Sequence, residues 1–270
     1  MGKRASDGIG LAYCKLLAKQ GFNILMISRS DEKLKTVQKE VQAQNQDVIV
    51  SYEVQDLGKL STYKEYVDRF QKVFQSIDVG ILINNAGIGF TGSYLQMTYE
   101  EAEAVFALNN FHATYLCKML MSTQTSRNER TGIIAVASLM AYYHFPWHIY
   151  YSCTKRFIEY LYQGVNFEAQ ADIRTKGKFD VQCYLPGFVA TKLSRKEVGF
   201  TIPDTITAAE GALKDLGRRE ISYGVIDHHI LGWLIKFLVK TIPESIIGFI
   251  LMKEGEATHK KLRSKGYSFI

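Results

Sequence analysis

Short apolar runs alternate with amphipathic stretches along most of the chain. Residues 22–28, 48–54, 79–84, 133–138 and 181–185 are dense in Val, Ile and Leu and bounded by polar residues. They are short enough to read as buried strands. Between them lie helical patterns: a charged one from about Asp31, then residues 99–121 and 149–169. Strands alternating with helices predict βαβ units, and so a doubly wound α/β fold with a parallel sheet covered on both faces. The chain has four prolines, and no Gly/Ser-rich linker or internal repeat divides it. At 270 residues it fits one domain with a substantial core.

The pattern changes near the C-terminus. Residues 230–251 are crowded with Leu, Ile, Phe and Trp, interrupted by Lys236, Lys240 and the Pro243-Glu244 break. The two lysines are four apart and share a helix face, leaving the other faces apolar. Residues 1–225 are therefore expected to form the α/β domain and 226–270 a helical extension. That extension fits three uses: lying in a membrane interface with its lysines snorkelling outward, covering a lipid-like substrate, or packing on another subunit. No uncharged apolar run of roughly 18 residues is present, so a spanning helix is not expected. The start, Met1-Gly2-Lys3-Arg4, is polar and offers no signal-peptide core.

Composition adds exclusions. With 47% hydrophobic and 22% charged residues the chain is an ordinary globular protein. A net charge of +6 suits an anionic ligand or membrane surface, but the basic residues are dispersed and nucleic acid is not expected. Cys14, Cys117, Cys153 and Cys183 lack metal or redox spacing and read as thiols of a reducing compartment. The adjacent His228-His229 pair does not converge on one point, so no metal site is expected.

Ser6, Asp7, Gly8, Ile9 and Gly10 lead straight into a helical pattern. Glycines at a helix start let the backbone approach a pyrophosphate, whose charge meets free N–H groups. Arg29 ends the next strand, about 20 residues on, where an NAD-binding protein places an acid on the ribose hydroxyl. An arginine there can instead clasp a 2′-phosphate, which favours NADP(H). Asp56 and Leu57, just past the following strand, suit one polar and one apolar contact to adenine.

Tyr151 and Lys155 stand four residues apart, hence on one helix face. A cation near a phenol stabilises the phenolate and lowers a pKa of about 10, giving the proton donor that carbonyl reduction needs. Tyr150 falls off that face. Ser138, thirteen residues before Tyr151, ends a strand and can hold a carbonyl oxygen beside the phenol. Asn84 ends another strand, and Asn85, Ala86 and Gly87 follow at the edge where ligands bind in such sheets. His144, Phe145, Pro146, Trp147 and His148 either line a substrate mouth or pack on the core.

Together these motifs, in this order from Ala5 to about Thr191, resemble the short-chain dehydrogenase/reductase family. The resemblance implies a Rossmann-type fold in which Ser138, Tyr151 and Lys155 are catalytic, with Asn110 as a fourth member supporting a proton-relay water. It also implies that Lys155 holds the nicotinamide ribose, that Pro186, Gly187, Val189 and Thr191 flank the nicotinamide, and that transfer uses the pro-S hydride. Within the family the chain looks most like the very-long-chain 3-oxoacyl-CoA reductases and related 17-beta-hydroxysteroid dehydrogenases. That branch implies a lipid-like ketone substrate, the cytosolic face of the endoplasmic reticulum membrane and, as commonly in the family, a homodimer. The family's Thr-Gly before the segment matching Ala5 is replaced by Lys3-Arg4, and no apolar strand precedes it. A first strand missing by N-terminal truncation is therefore expected. The competing expectation is a non-catalytic, membrane-associated remnant of such a reductase.

Overall fold

The computed structural model describes residues 8–264. Ser6, Asp7 and the expected absence of a first strand lie outside the described residues.

Helix α1 (Gly8–Lys19) leads into strand β1 (Ile24–Ser28), whose alternate residues Ile24, Met26 and Ser28 are buried. Helix α2 (Asp31–Gln42) starts at Ser30, whose hydroxyl accepts from the Lys33 N–H, with Asp31 and Glu32 in the positive first turn. Strand β2 (Val50–Val54) pairs in parallel with β1, Ile24 opposite Val50 and Ser28 opposite Val54. Helix α3 (Tyr63–Ser76) opens with a capping box between Thr62 and Glu65. A second parallel sheet follows, in the order β3 (Ile81–Asn84), β4 (Thr131–Val136), β5 (Phe179–Tyr184) and β6 (Ile221–Ser222).

Helices α4 (Tyr99–Phe106) and α5 (His112–Thr123) are joined by one π-helical turn, Ala107–Phe111. Helix α6 (Ile149–Ala171) lays Ser152, Lys155, Ile158, Glu159 and Tyr162 inward and packs along β5. Helix α7 (Thr205–Asp215) packs beside α1 on the opposite side. Every residue of β4 is buried, as expected of a strand covered on both faces. Ile81 and Ile83 of β3 pack against the cluster built by α1, β1, α2 and β2, so the two sheets share one domain.

The apolar C-terminal stretch is two helices, α8 (Ile226–Thr241) and α9 (Glu244–Ser264). Ile242 is extended at the break, because a following proline disfavours helical backbone there and offers no N–H. None of the described helices is long and apolar enough to cross a membrane.

All five expected strands are present with shifted ends. Strand β4 stops at Val136, so Ser138 lies past the sheet and caps a 3-10 turn, Leu139–Tyr142, with its hydroxyl accepting from the Met140 N–H. Strand β6 was not expected; its two residues are too few to make a pattern. Cys117 and Cys183 are buried and Cys14 half-buried, whereas Cys153 faces solvent.

Candidate active site

The parallel strands β3, β4 and β5 end on one side, and the chemistry-bearing residues gather there. Lys155 is buried, and its Nζ donates to the Val136 carbonyl at the end of β4, 2.8 Å away. The same ammonium lies 5.6 Å from the centroid of the Tyr151 ring. Tyr151 shares a side-chain hydrogen bond with Ser138. Ser138, Tyr151 and Lys155 thus form one group beneath the end of β4. Tyr150 turns away, stacked on Tyr94 and edge-on to Phe106.

Burial controls the electrostatics. It pushes the Tyr151 phenol up to about 12, while the hydrogen bond with Ser138 acts the other way. It pushes Lys155 down to about 8. The lowered phenol expected from the spacing is not met: the ammonium rests on a carbonyl, and taking phenolate out of water outweighs a cation at this distance. The result is a neutral phenol held beside a lysine whose charge changes near neutral pH.

Asn109, beside the expected Asn110, ties the loop after β3 to α6. Its Oδ1 accepts from the Ile88 N–H at 2.8 Å, and its Nδ2 donates to the Ile88 carbonyl at 2.9 Å and to Thr154 Oγ1 at 3.0 Å. A Cβ built on Gly87 would meet Asn109 Oδ1 at 3.2 Å and Lys155 Nζ at 3.3 Å, so the 85–87 loop passes against both. Asn110 is also buried, but its Oδ1 has no partner among the described residues. Both asparagines sit in the π-helical turn, whose wider loop changes which side chain faces α6. The sequence offered two adjacent asparagines and no sign of that turn.

The remaining candidates line two neighbouring regions. Gly8 starts α1 with φ +67°, a conformation that favours glycine. A Cβ there would meet Thr191 Cγ2 at 3.6 Å, so the helix start and the 186–191 segment converge. Gly10 is buried, and Ile9 packs into the core beside Ile134 and Val136. Val189 is buried, and Thr191 Oγ1 accepts from the Ser194 N–H at 3.1 Å. At the end of β1, Arg29, Asp56, Leu57 and Ala86 line one shallow cavity. Arg29 is exposed there, and Asp56 Oδ1 accepts from the Gly58 N–H at 3.1 Å. Asn85 is half-buried, while Asn84 donates to the Tyr162 hydroxyl.

These features fit a nicotinamide dinucleotide phosphate. A glycine-opened helix start suits a pyrophosphate, and Arg29 at the cavity rim suits a 2′-phosphate.

Residues 143–148 pack against the C-terminal helices. His144 Nε2 lies 3.0 Å from Glu244 Oε1, and the Tyr143 hydroxyl donates to the Glu244 carbonyl. Trp147, with φ 65°, packs against His259 of α9 with ring centroids 4.7 Å apart and the planes tilted by 33°, and its carbonyl accepts from the Gly92 N–H.

Residues 4–199 match the sequence profile described as short chain dehydrogenase. The chain belongs to that family. A very-long-chain 3-oxoacyl-CoA reductase of Anas platyrhynchos is 30% identical over 97% of this chain and 80% of its own. A protein of Caenorhabditis elegans named putative steroid dehydrogenase 3 is 30% identical over 96% of this chain and 80% of its own. Among solved structures, a short-chain dehydrogenase of Sphingobium yanoikuyae in complex with NADPH superposes with a TM-score of 0.70 at 23% identity, covering 89% of this chain and 94% of that one.

The asparagines make the first prediction for this short chain dehydrogenase. Asn109→Ala strands the Ile88 backbone groups, so urea unfolding should register a loss of about 1–3 kcal/mol. Asn110→Leu exchanges an unsatisfied oxygen for an apolar group of similar shape and should cost less. Equal losses would contradict this account of the turn.

Proposed function

We propose that the chain reduces a ketone on a lipid-like substrate with NADPH, a long-chain 3-oxoacyl-CoA ahead of a 17-oxosteroid. The observation that carries this reading is the buried Ser138–Tyr151–Lys155 group at the end of β4. It also favours turnover over a non-catalytic remnant. The acyl-CoA draws support from the Anas platyrhynchos relative and the +6 net charge. The steroid draws support from the name of the Caenorhabditis elegans relative.

When bound, the nicotinamide supplies the hydride to the carbonyl carbon. Ser138 donates a hydrogen bond to the carbonyl oxygen and holds it beside the phenol. Tyr151 then gives its proton to that oxygen as negative charge develops there, and solvent restores the phenol. A phenol held near 12 is protonated at every physiological pH, which suits the donor role of the reductive direction. Lys155 steadies the tyrosinate and grips the nicotinamide ribose. Asn110, buried with an Oδ1 that has no partner among the described residues, has an acceptor to spare for a relay water, whereas the Asn109 amide is taken up by Ile88 and Thr154.

The proposal extends to residues 226–270 as a surface that lies on an anionic membrane. Ile226, Ile230, Trp233 and Phe237 of α8 are exposed at helical spacing and form one stripe. On α9, Ile246, Phe249 and Ile250 do the same, and Lys236, Lys240 and Lys253 stand among these positions. Apolar residues with a tryptophan and interleaved lysines suit the headgroup boundary. The branch resemblance adds the cytosolic face of the endoplasmic reticulum. For the implied homodimer, Phe157, Tyr160 and Phe167 of α6 offer exposed apolar surface.

Cofactor selectivity is the first test. NADPH should raise the melting temperature more than NADH at equal concentration, and Arg29→Asp should cost roughly 10–100-fold in NADPH affinity. A folded protein that responds to neither nucleotide supports the remnant.

Tyr151→Phe should lower kcat roughly 10²–10⁴-fold with NADPH affinity unchanged. Lys155 is cationic below about 8 and neutral above, so wild-type reduction should fall as pH rises through that value. A rate flat across that range would separate Lys155 from catalysis. Acyl-CoA and steroid ketones assayed side by side decide the substrate.

Cosedimentation tests the surface. Anionic vesicles should retain the protein, neutral ones retain less, and Trp233→Ser with Phe237→Ser should release it. Indifference to vesicle charge and to these changes would remove the membrane from the proposal.

A further inference from the structure

His228 stands in the first turn of α8 and is fully buried. Its Nδ1 accepts from the Gly187 N–H at 3.2 Å. The ring also presses on Gly187: a Cβ built there would come within 2.8 Å of Cδ2 and 2.9 Å of Nε2. Only a glycine lets the imidazole sit this close.

The bonded amide belongs to a particular peptide plane. Leu185 N–H donates to the Ser222 carbonyl at 2.8 Å, which ends the contacts with β6. Pro186 has no N–H, so Gly187 carries the next backbone donor as the chain leaves the sheet. The Pro186 carbonyl, in the same plane, accepts from the Leu139 N–H at 3.0 Å. One rigid peptide unit is therefore held at both ends, by His228 and by the residue after Ser138. Turning it breaks both bonds.

We propose that His228 is a positioning residue: by accepting the Gly187 N–H it fixes the 186–191 segment and, through the same peptide plane, the turn that carries Ser138. The inference rests on the reading that residues 186–191 flank the nicotinamide. His228 touches no reacting atom in this scheme.

An accepting Nδ1 requires a neutral imidazole with its proton on Nε2. Protonation would set N–H against N–H and open the clamp. Burial lowers the tendency of His228 to protonate. The carbonyls of Phe188, Tyr223 and Thr201 around the ring and the neighbouring Asp227 act in the other direction. The clamp therefore holds at neutral pH and releases as pH falls below the ordinary histidine range.

The test uses the full chain with and without NADPH. His228→Asn keeps an acceptor for the Gly187 amide, and His228→Leu removes it. Hydrogen-exchange protection of Gly187, corrected for intrinsic rates, is measured without cofactor, and NADPH affinity is measured by fluorescence. The Leu variant should lose roughly tenfold or more in both, and the Asn variant should recover most of each. Wild-type protection should fall on acidification while that of the Asn variant stays level. Unchanged protection in His228→Leu, or an identical acid response in wild type and His228→Asn, overturns the clamp. Lost protection with unaltered NADPH affinity leaves the clamp but overturns its role toward the cofactor. If His228→Leu does not fold, the pH comparison between wild type and His228→Asn decides.

Discussion

A buried ammonium on the carbonyl at the end of a central strand sets the terms for this site. Lys155 leaves water for the interior, and within the chain its Nζ donates to Val136. Such a charge is tolerated only where fixed dipoles face it, so α6 must hold its register against β4 and β5. That register brings Tyr151 to Ser138 and Thr154 to Asn109. A slip of one residue along α6 would undo all three contacts.

Glycines open the space around that charge. At Gly87 a methyl would crowd both Asn109 and Lys155, and at Gly8 the backbone adopts a left-handed conformation at the start of α1. Gly87 thus lets its loop pass close to the buried ammonium. Gly187 is bare for a similar reason: the space beside it is filled by His228.

Much of this was legible in the chain because local spacing has fixed geometric meaning. Residues four apart on a helix share a face, which brings Tyr151 and Lys155 together. Apolar runs of five to seven between polar residues gave strands, though with ends shifted by about two positions. Less legible were features set by three-dimensional context. The π-helical turn decides that Asn109 faces Thr154, and two neighbouring asparagines look alike in sequence. The upward push on Tyr151 comes from burial, which spacing does not reveal. His228 read only as half of an adjacent pair unable to converge on a metal, because its partner is a backbone amide 41 residues away.

The contact between residues 143–148 and α9 has a mechanical consequence. Trp147 packs on His259, and a Cβ at Gly255 would fall within 2.5 Å of the indole. His144 and Tyr143 meet Glu244 at the start of the same helix. The anchored segment lies between Ser138 and Tyr151 in the chain, so a shift of α9 would be carried to the stretch that joins those two residues.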